Sequence, residues 1–275
     1  MTRSHEAVCL LFDAHKTDDF TLAQFGTYRR ALEGVCEVVF VMHAAPGVRY
    51  ELPEGALVLD DAAIFDRAPC AKASQRRLLP GNVDLKMLAA VEALPGPERF
   101  FFVEYDVLAT RALRGALNDL IAYTEGVDLA ASFVRERSPD STWMWWDTLL
   151  PPKGVACPPA DFRKAFLPVT SFSRRMMTLY RAALNAGWTG HQEVLLPTIA
   201  QIHGLTLRDL SRSNPRFTRS PQFNVHAPDG LEFEPRPLFI HPVKSVAQFL
   251  ALPDAVRVGC DLEAALELKP PDLAG

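Results

Sequence analysis

The sequence predicts an α/β fold with a largely parallel central sheet, flanked by helices and followed by a loop-rich C-terminal part. Continuous apolar runs of strand length alternate with helical patterns, which is typical of parallel sheets whose strands are buried on both faces. Hydrophobic residues make up 48% of the chain and charged residues 23%, close to the average for globular proteins. Residues 211–237 are rich in Pro, Asn, Arg and Ser without periodicity, which predicts a long ordered loop.

The first half of the chain alternates between strand and helix patterns. Its first apolar run ends at Asp13, and a helical pattern begins at Asn82, a suitable N-cap, and is stopped by the Pro-Gly-Pro at residues 95–97. The most hydrophobic run, at residues 100–109, predicts one continuous strand. The predicted strands are residues 7–12, 35–44, 56–61 and 100–109, and the predicted helices are residues 21–33 and 82–94.

The second half contains shorter elements. A helix begins near Ser173 and is closed by Gly187, and the next helix contains Pro197, so we expect that helix to be short or kinked. The tail from Lys269 is expected to fray. The predicted strands are residues 128–134, 166–172, 205–210 and 238–241, and the helices are residues 173–186 and 190–204.

Charge and motif content exclude several classes of protein. The formal net charge is −4, from 29 Lys and Arg against 33 Asp and Glu, so we expect no nucleic-acid partner. The five cysteines form no CxxC pair that would indicate a zinc or redox site. P-loop, GxGxxG, GxSxG and HExxH motifs are absent. With no run of ~20 apolar residues and no signal-peptide pattern, we expect a cytoplasmic protein without a transmembrane segment.

The sharpest local feature is a pair of acids near the end of the most hydrophobic run. Glu104 and Asp106 are two residues apart, and alternation along a strand places both carboxylates on the same side. Two acids this close repel each other unless a cation or a proton intervenes. Mg²⁺ or Mn²⁺ would suit such a pair, whereas the alternative is a strand end with two solvated acids or an Arg partner.

Basic and amide side chains precede this strand. Arg76 and Arg77 form a loop that could face an anion, and Asn82 and Lys86 lie at the start of the next helix, within reach of a nucleotide or phosphate. The alternative is an ordinary solvated basic loop.

Two later segments also carry chemistry. Glu193 opens a helix, where a carboxylate is either a helix cap or a general base that removes a proton from an attacking hydroxyl. His241 and Lys244 follow a short strand, which suits a metal ligand or a diphosphate contact, although a lone histidine is often structural.

Three tryptophans, Trp143, Trp145 and Trp146, lie within four residues. They cannot all face one core, so we expect at least one to be exposed or semi-exposed and able to stack on a sugar or a partner. The alternative is a lid that is packed by its own aromatic side chains.

Together these features resemble the GT-A fold glycosyltransferases, which use nucleotide-sugar donors. The matching order runs from the strand ending at Asp13, through the helix at 82–94 and the acidic Glu104-Tyr105-Asp106, to the helix start at 190–193 and the late His241. The resemblance spans roughly residues 6–245. In the family an Asp-x-Asp-like motif binds the metal and the diphosphate, and here Glu104 replaces its first Asp.

The resemblance implies a single GT-A-like domain over residues 1–275, with a nucleotide-binding half at about 1–110 and an acceptor half at about 111–250. It implies Mn²⁺ or Mg²⁺ as cofactor, a nucleotide-sugar donor, and a glycan or other hydroxyl compound as acceptor. Glu193 would be the base of an inverting reaction. The implied contacts are metal to Glu104, Asp106 and His241; nucleotide or diphosphate to Asp13, Arg76, Arg77, Asn82, Lys86 and Lys244; and acceptor to Trp143, Trp145, Trp146 and His191.

Two other functions remain open. A metal-dependent phosphohydrolase would use Asp13, Glu104 and Asp106 around Mg²⁺ and would release phosphate from simple esters. A catalytically silent protein on the same fold would bind carbohydrates or nucleotides without turnover.

Overall fold

The computed structural model describes residues 7–44, 47–66, 70–110, 112–213, 217–226, 238–257 and 260–266. Parts of the predicted loop, at residues 214–216 and 227–237, and the tail predicted to fray from Lys269 lie outside the described residues. No helix in the described ranges is long and apolar enough to cross a membrane.

Nine strands are assigned in the described part of the chain, and seven of them form the central sheet. They are β1 (Val8–Ala14), β2 (Glu37–His43), β3 (Leu57–Leu59), β4 (Arg99–Glu104), β5 (Leu108–Ala109), β6 (Leu129–Glu136), β7 (Arg163–Ser173), β8 (Leu207–Asp209) and β9 (Phe239–Ile240). The spatial order in the sheet is β3-β2-β1-β4-β7-β6-β8, and β5 pairs with β9. Six strands of the sheet run in one direction, and β7 runs against both of its neighbours.

Helices connect and flank the strands, and several of them begin or end at recognisable capping residues. They are α1 (Asp19–Ala31), α2 (Val83–Ala93), α3 (Leu113–Tyr123), α4 (Arg174–Ala186), α5 (Gln192–Ile202), α6 (Val246–Leu250), α7 (Asp254–Arg257) and α8 (Leu262–Ala265). The side chain of Asp18 accepts the Thr21 N–H at the start of α1, and Ser173 accepts the Met176 N–H at the start of α4. Gly187 ends α4 with φ +104°, as predicted.

The sheet is covered on both faces, which is why its inner strands β1 and β4 are largely apolar. In β1, Cys9 and Leu11 belong to a core cluster shared with α2, α4 and α5. Leu10 and Phe12 point the other way, into a cluster shared with α1 and α3. These observations confirm the predicted α/β fold with a largely parallel central sheet flanked by helices.

The predicted continuous strand at residues 100–109 is wrong after Glu104, where β4 ends. The Val107 N–H bonds to the Glu104 carbonyl at 3.0 Å and closes a turn at Tyr105 and Asp106. The Tyr105 N–H still bonds to the Asp13 carbonyl of β1 at 2.9 Å, and the Gln24 side-chain amide donates to the carbonyls of Tyr105 and Val107, so these backbone groups of the turn are satisfied. The chain therefore leaves the central sheet at the acidic pair and joins β9 through β5.

Asn82 occupies the N-cap position of α2 as predicted, but its side chain does not cap the helix. Its Nδ2 donates to the Arg77 carbonyl at 2.9 Å. Oε1 of Gln192 instead accepts the N–H groups of Val83 and Asp84, at 2.5 and 3.3 Å. A side chain of α5 thus caps α2, a long-range contact that a local pattern does not reveal.

Helix α5 runs for 11 residues and continues through Pro197, so the proline does not end the helix. Proline removes one N–H from the helix. Dense packing offsets that loss, because Leu195, Leu196 and Ile199 are fully buried.

Gly81 shows how closely α2 and α5 approach each other. Its φ is +86°, and an added Cβ would clash with Cδ2 of His191. We expect Gly81→Ala to lower the free energy of unfolding by about 2–4 kcal/mol, from backbone strain and the clash together, as measured by urea denaturation.

Gly154 is a matched control, because it has φ +84° with open space around it. Gly154→Ala should cost only the strain, about 1–2 kcal/mol. Equal losses in the two variants would contradict the close approach at Gly81.

Candidate active site at the carboxyl edge of the sheet

The candidate site lies where two adjacent parallel strands end. Asp13 near the end of β1 and Glu104 at the end of β4 are directly paired in the sheet register. The turn after β4 carries Asp106, and the chain after β9 brings His241 to the same place. Ligands of open α/β sheets bind beyond this carboxyl edge, and the strand directions put these side chains there.

Glu104, Asp106 and His241 form one cluster. Nε2 of His241 lies 3.4 Å from Oε2 of Glu104 and 3.3 Å from Oδ1 of Asp106. One potential ligand atom from each residue lies within 4.8 Å of the others. Two carboxylates and one imidazole this close have the donor types and the spacing that a divalent cation requires.

The imidazole of His241 is oriented by a backbone contact. Its Nδ1 lies 2.6 Å from the Asn224 carbonyl, which can only accept, so Nδ1 carries the hydrogen and Nε2 faces the carboxylates. Burial lowers the pKa of His241, but hydrogen bonds and charge from Asp106 and Glu104 outweigh it and raise the pKa to about 9. In the absence of a metal ion, the protonated imidazole of His241 is therefore the positive charge within the cluster.

Asp106 provides the test of whether a metal ion fits. Its Oδ1 is buried, and it faces Nε2 of His241 at 3.3 Å in an ion pair that does not meet hydrogen-bond geometry. A buried carboxylate oxygen without a well-formed hydrogen bond is costly, and a divalent cation held by Asp106, Glu104 and Nε2 of His241 would stabilise it. The three residues therefore fit the Mg²⁺ or Mn²⁺ expected from the sequence.

Asp13 is tied to another partner. Nζ of Lys86 lies 2.5 Å from its Oδ1, and both side chains are almost fully buried. Burial raises the pKa of Asp13 to about 6, although Lys86 opposes that shift. Asp13 and Lys86, both predicted to bind the nucleotide, are therefore ion-pair partners in the wall of the site. Asp13 is not a member of the cluster of possible metal ligands.

A cavity of about 600 Å³ opens over this edge, and we call it the main cavity. Seven of the predicted site residues line it: Asp13, Lys86, Glu104, Asp106, Glu193, His241 and Lys244. Nζ of Lys244 lies 3.9 Å from Oδ2 of Asp106, and its side chain is half-exposed. A cation and an acidic cluster thus share one wall of the cavity.

Glu193, in the first turn of α5, contributes to a second wall of the main cavity. Burial, and then the negative charge of Glu104, raise its pKa to about 8, against opposing effects of Lys164 and His241. A buried carboxyl with a pKa near neutrality has the property required of a general base.

A second cavity, of about 450 Å³, adjoins the main one, and we call it the side cavity. The two share Phe166, Glu193 and Val225. Trp143 lines the side cavity together with Arg135 and Lys164. Glu193 therefore lies at the junction of two cavities.

The remaining predicted residues lie elsewhere. A third cavity, of about 360 Å³, is lined by Arg77, Asn82, Trp145 and His191. The ring of His191 stacks on Trp145 with centroids 4.2 Å apart, and its Nδ1 accepts the Glu193 N–H as the N-cap of α5. Burial, and then Lys72, lower the pKa of His191 to about 4.

Two predicted residues line none of these three cavities. Arg76 is exposed and pairs with Asp66 at 2.6 Å, as a solvated basic loop would. Trp146 is 1% exposed, and its Nε1 donates to the Ser141 hydroxyl, so its ring is packed in the interior. Trp143 and Trp145 are both half-buried, which confirms that at least one of the three tryptophans is exposed or semi-exposed.

Sequence reasoning missed several lining residues of the main and side cavities. Lys164 and Arg135 lie outside every motif, and His15 follows the first strand without a pattern of its own. Only strand register brings Lys164 opposite Arg135, and no local signal could have found it.

No protein-family model matches the chain, and no curated protein matches it in sequence. Among solved structures, the chain is similar to glucosyl-3-phosphoglycerate synthase from Mycobacterium tuberculosis in complex with Mg²⁺ and uridine-diphosphate, with 13% identity, coverage of 75% of this chain and 69% of that one, and TM-score 0.41. It is also similar to mouse xyloside xylosyltransferase 1, with 14% identity, 74% and 84% coverage and TM-score 0.39. A third match is a glycosyltransferase involved in glycosylation of the PBCV-1 major capsid, with 9% identity, 64% coverage of this chain and TM-score 0.32. The chain spans 65% of the length of that viral protein.

Proposed function

We propose that the chain transfers a glycosyl group from a nucleoside diphosphate sugar to an acceptor hydroxyl. The observation that carries this proposal is the position of Glu193, a buried carboxyl between the cavity that holds the acid–imidazole cluster and a second cavity. A transferase needs two adjoining sites, for donor and acceptor, and a base where they meet. The order of motifs along the sequence supports the same class.

The main cavity is the proposed donor site. Glu104, Asp106 and His241 would hold a divalent cation, and Lys244 lies beside them as a second positive charge. A divalent cation held there would offset the negative charge that develops on the departing diphosphate. His241 keeps its Nε2 directed at the carboxylates because Nδ1 is held by the Asn224 carbonyl.

Glu193 is the proposed base of an inverting transfer. Its carboxylate takes the proton of the acceptor hydroxyl while the acceptor oxygen forms a bond to the anomeric carbon. The bond from that carbon to the diphosphate oxygen breaks, and the electron pair leaves with the diphosphate. The acceptor would enter from the side cavity, past Trp143.

A panel of nucleoside diphosphates and their sugars, measured by thermal shift with and without Mn²⁺, tests the donor site. A ligand at about 100 times its Kd stabilises the folded state by about 2.7 kcal/mol, so we expect an increase in Tm of roughly 5–10 °C. The increase should occur for one nucleotide base and should require the cation.

A flat panel, or an increase that is the same without Mn²⁺, would contradict the donor proposal. Release of phosphate from simple esters would favour the phosphohydrolase instead. The Asp13–Lys86 ion pair weighs against that reading, because it occupies a carboxylate that the hydrolase would need for its metal.

A further inference from the structure

The side cavity carries an unusual pair of charges. Arg135 on β6 and Lys164 on β7 are direct cross-strand partners, and both line this cavity. Directly opposed residues in an antiparallel pair lie on the same face with their Cβ atoms about 5 Å apart, so two like charges there are destabilising. The next pair along the same strands shows the usual solution, because Glu136 faces Arg163 and the two form an ion pair at 3.1 Å.

One of the two cations is neutralised by a nearby acid. Nη1 of Arg135 lies 2.6 Å from Oδ2 of Asp209. The Asp209 carboxylate is already in full use, because it also accepts the N–H of Phe133 at 2.9 Å and both the N–H and the hydroxyl of Ser211. Nε of Arg212 also lies 3.4 Å from Oδ2 of Asp209, so this carboxylate already pairs with two cations and has little capacity left for a third.

Among the residues that the structure describes, Lys164 has no such partner. Within the described ranges its ammonium makes no hydrogen bond and no ion pair, and Glu193 is the acid whose charge acts on it across the cavity. Its Nζ instead lies 4.7 Å from the centre of the Trp143 ring and 5.9 Å from that of Trp146. The aromatic faces fix the position of the ammonium but do not neutralise it.

The position of Lys164 relative to Glu193 shows which ligand it would meet. Lys164 lines the side cavity but not the main cavity. The main cavity contains Lys244 and the acid–imidazole cluster, which form the proposed site for a divalent cation and a diphosphate. With Glu193 as the base, an acceptor in the side cavity presents its hydroxyl to Glu193 and lies beside Lys164. An unpaired ammonium in a partly buried wall favours a ligand that carries a carboxylate or phosphate.

We propose that the acceptor is a hydroxyl compound with a carboxylate or phosphate group, and that Lys164 selects it by binding that group in the side cavity. The role of the ligand as the acceptor rests on the proposed function, whereas the presence of an anion site in the side cavity does not. Arg135 would add to the positive field there while remaining paired with Asp209.

The test uses two pairs of probes that differ by one anionic group. Methyl β-D-glucuronide is compared with methyl β-D-glucoside, and glycerol 3-phosphate with glycerol, by calorimetric titration of the full chain. We expect at least one anionic probe to bind at least tenfold more tightly than its neutral partner. The pair that shows this preference distinguishes a carboxylate from a phosphate ligand, and the preference should weaken as salt is added.

Variants then assign the preference to one side chain. Lys164→Met keeps the length of the side chain without its charge and should reduce the ratio of affinities to below threefold, whereas Lys164→Arg should retain most of it. Lys153→Met is the matched control, because Lys153 is exposed and lines none of the three cavities, and it should leave the ratio unchanged. Equal affinities within both pairs for the wild type, or an undiminished ratio in Lys164→Met, would overturn the proposal.

The same titration in Lys244→Met separates this site from the main cavity, because Lys244 lines the main cavity and not the side cavity. We expect the preference for the anion to persist in this variant, and its loss would place the anion at the main cavity and overturn the assignment to Lys164. Failure of the proposed function gives a different result, namely a flat nucleotide panel with anion binding intact. Failure of this inference gives nucleotide binding without any anion preference.

Discussion

Asp106→Asn should reduce glycosyl transfer by about a thousandfold, which corresponds to about 4 kcal/mol of transition-state stabilisation. Asn fills the same volume but is a poor ligand, so the cluster would retain one carboxylate and one imidazole for the cation. Because a second charge beside Glu104 is removed, we expect Tm without metal to stay within a few degrees of the wild type. Transfer is measured with the nucleotide sugar that the thermal-shift panel identifies.

Asp140→Asn is the matched control, since Asp140 is exposed and lines none of the three cavities. It should leave both the rate and the effect of Mn²⁺ on Tm unchanged. A wild-type rate in Asp106→Asn, or an unchanged Mn²⁺-dependent increase in Tm, would remove Asp106 from the metal site.

Glu193→Gln should reduce turnover by roughly a hundred- to ten-thousandfold while leaving nucleotide binding intact, because only proton removal from the acceptor is lost. In the wild type, kcat/KM should rise with pH, reach half of its plateau near pH 8 and level off about one pH unit higher, following deprotonation of Glu193. A cation bound beside Glu104 would offset the repulsion that contributes to this pKa, so Mn²⁺ should shift the profile to lower pH. A wild-type rate in Glu193→Gln would show that another group is the base.

The stability of the metal-free protein gives an independent readout of the same carboxyl. The folded-state pKa of Glu193, about 8, lies above its ordinary value of 4.5, so folding favours the protonated form. Its contribution to stability is therefore fully present below about pH 4.5 and is lost as pH rises through about 8. Glu193→Gln should remove this part of the pH dependence, on the order of a few kcal/mol, as measured by urea denaturation between pH 5 and 9.

The sequence was sufficient to predict the sheet and the acids at its edge. Apolar runs of strand length locate β1 and β4, and parallel strands must end on the same edge, so Asp13 and Glu104 had to be neighbours. The late His241 reaches the acids, as the resemblance implied, and Glu193 opens a helix whose first turn lines the same cavity. The roles of these residues remain predictions for the experiments above.

Contacts that depend on strand register, or on side chains from distant elements, could not be predicted from the sequence. Lys164 faces Arg135 because the pairing of β6 and β7 shifts register on either side of Ser132, and the next residue, Phe133, has φ +54°. Similarly, Gln192 caps a helix that begins 109 residues earlier in the chain. Periodicity reports which face of an element is apolar, and it carries no information about which polar group on a distant element will meet it.

The three consecutive residues at the start of α5 have three separate tasks. His191 stacks on Trp145, Gln192 caps α2, and Glu193 faces the two larger cavities. Successive residues of a helix point about 100° apart, so deleting or inserting one residue here would turn each side chain towards its neighbour's partner. Individual side chains in this segment can be exchanged during evolution, but its length cannot change without dismantling all three contacts together. Homologous proteins that keep the site should therefore show no insertions or deletions between Gly190 and Glu193, whatever happens to their surface loops.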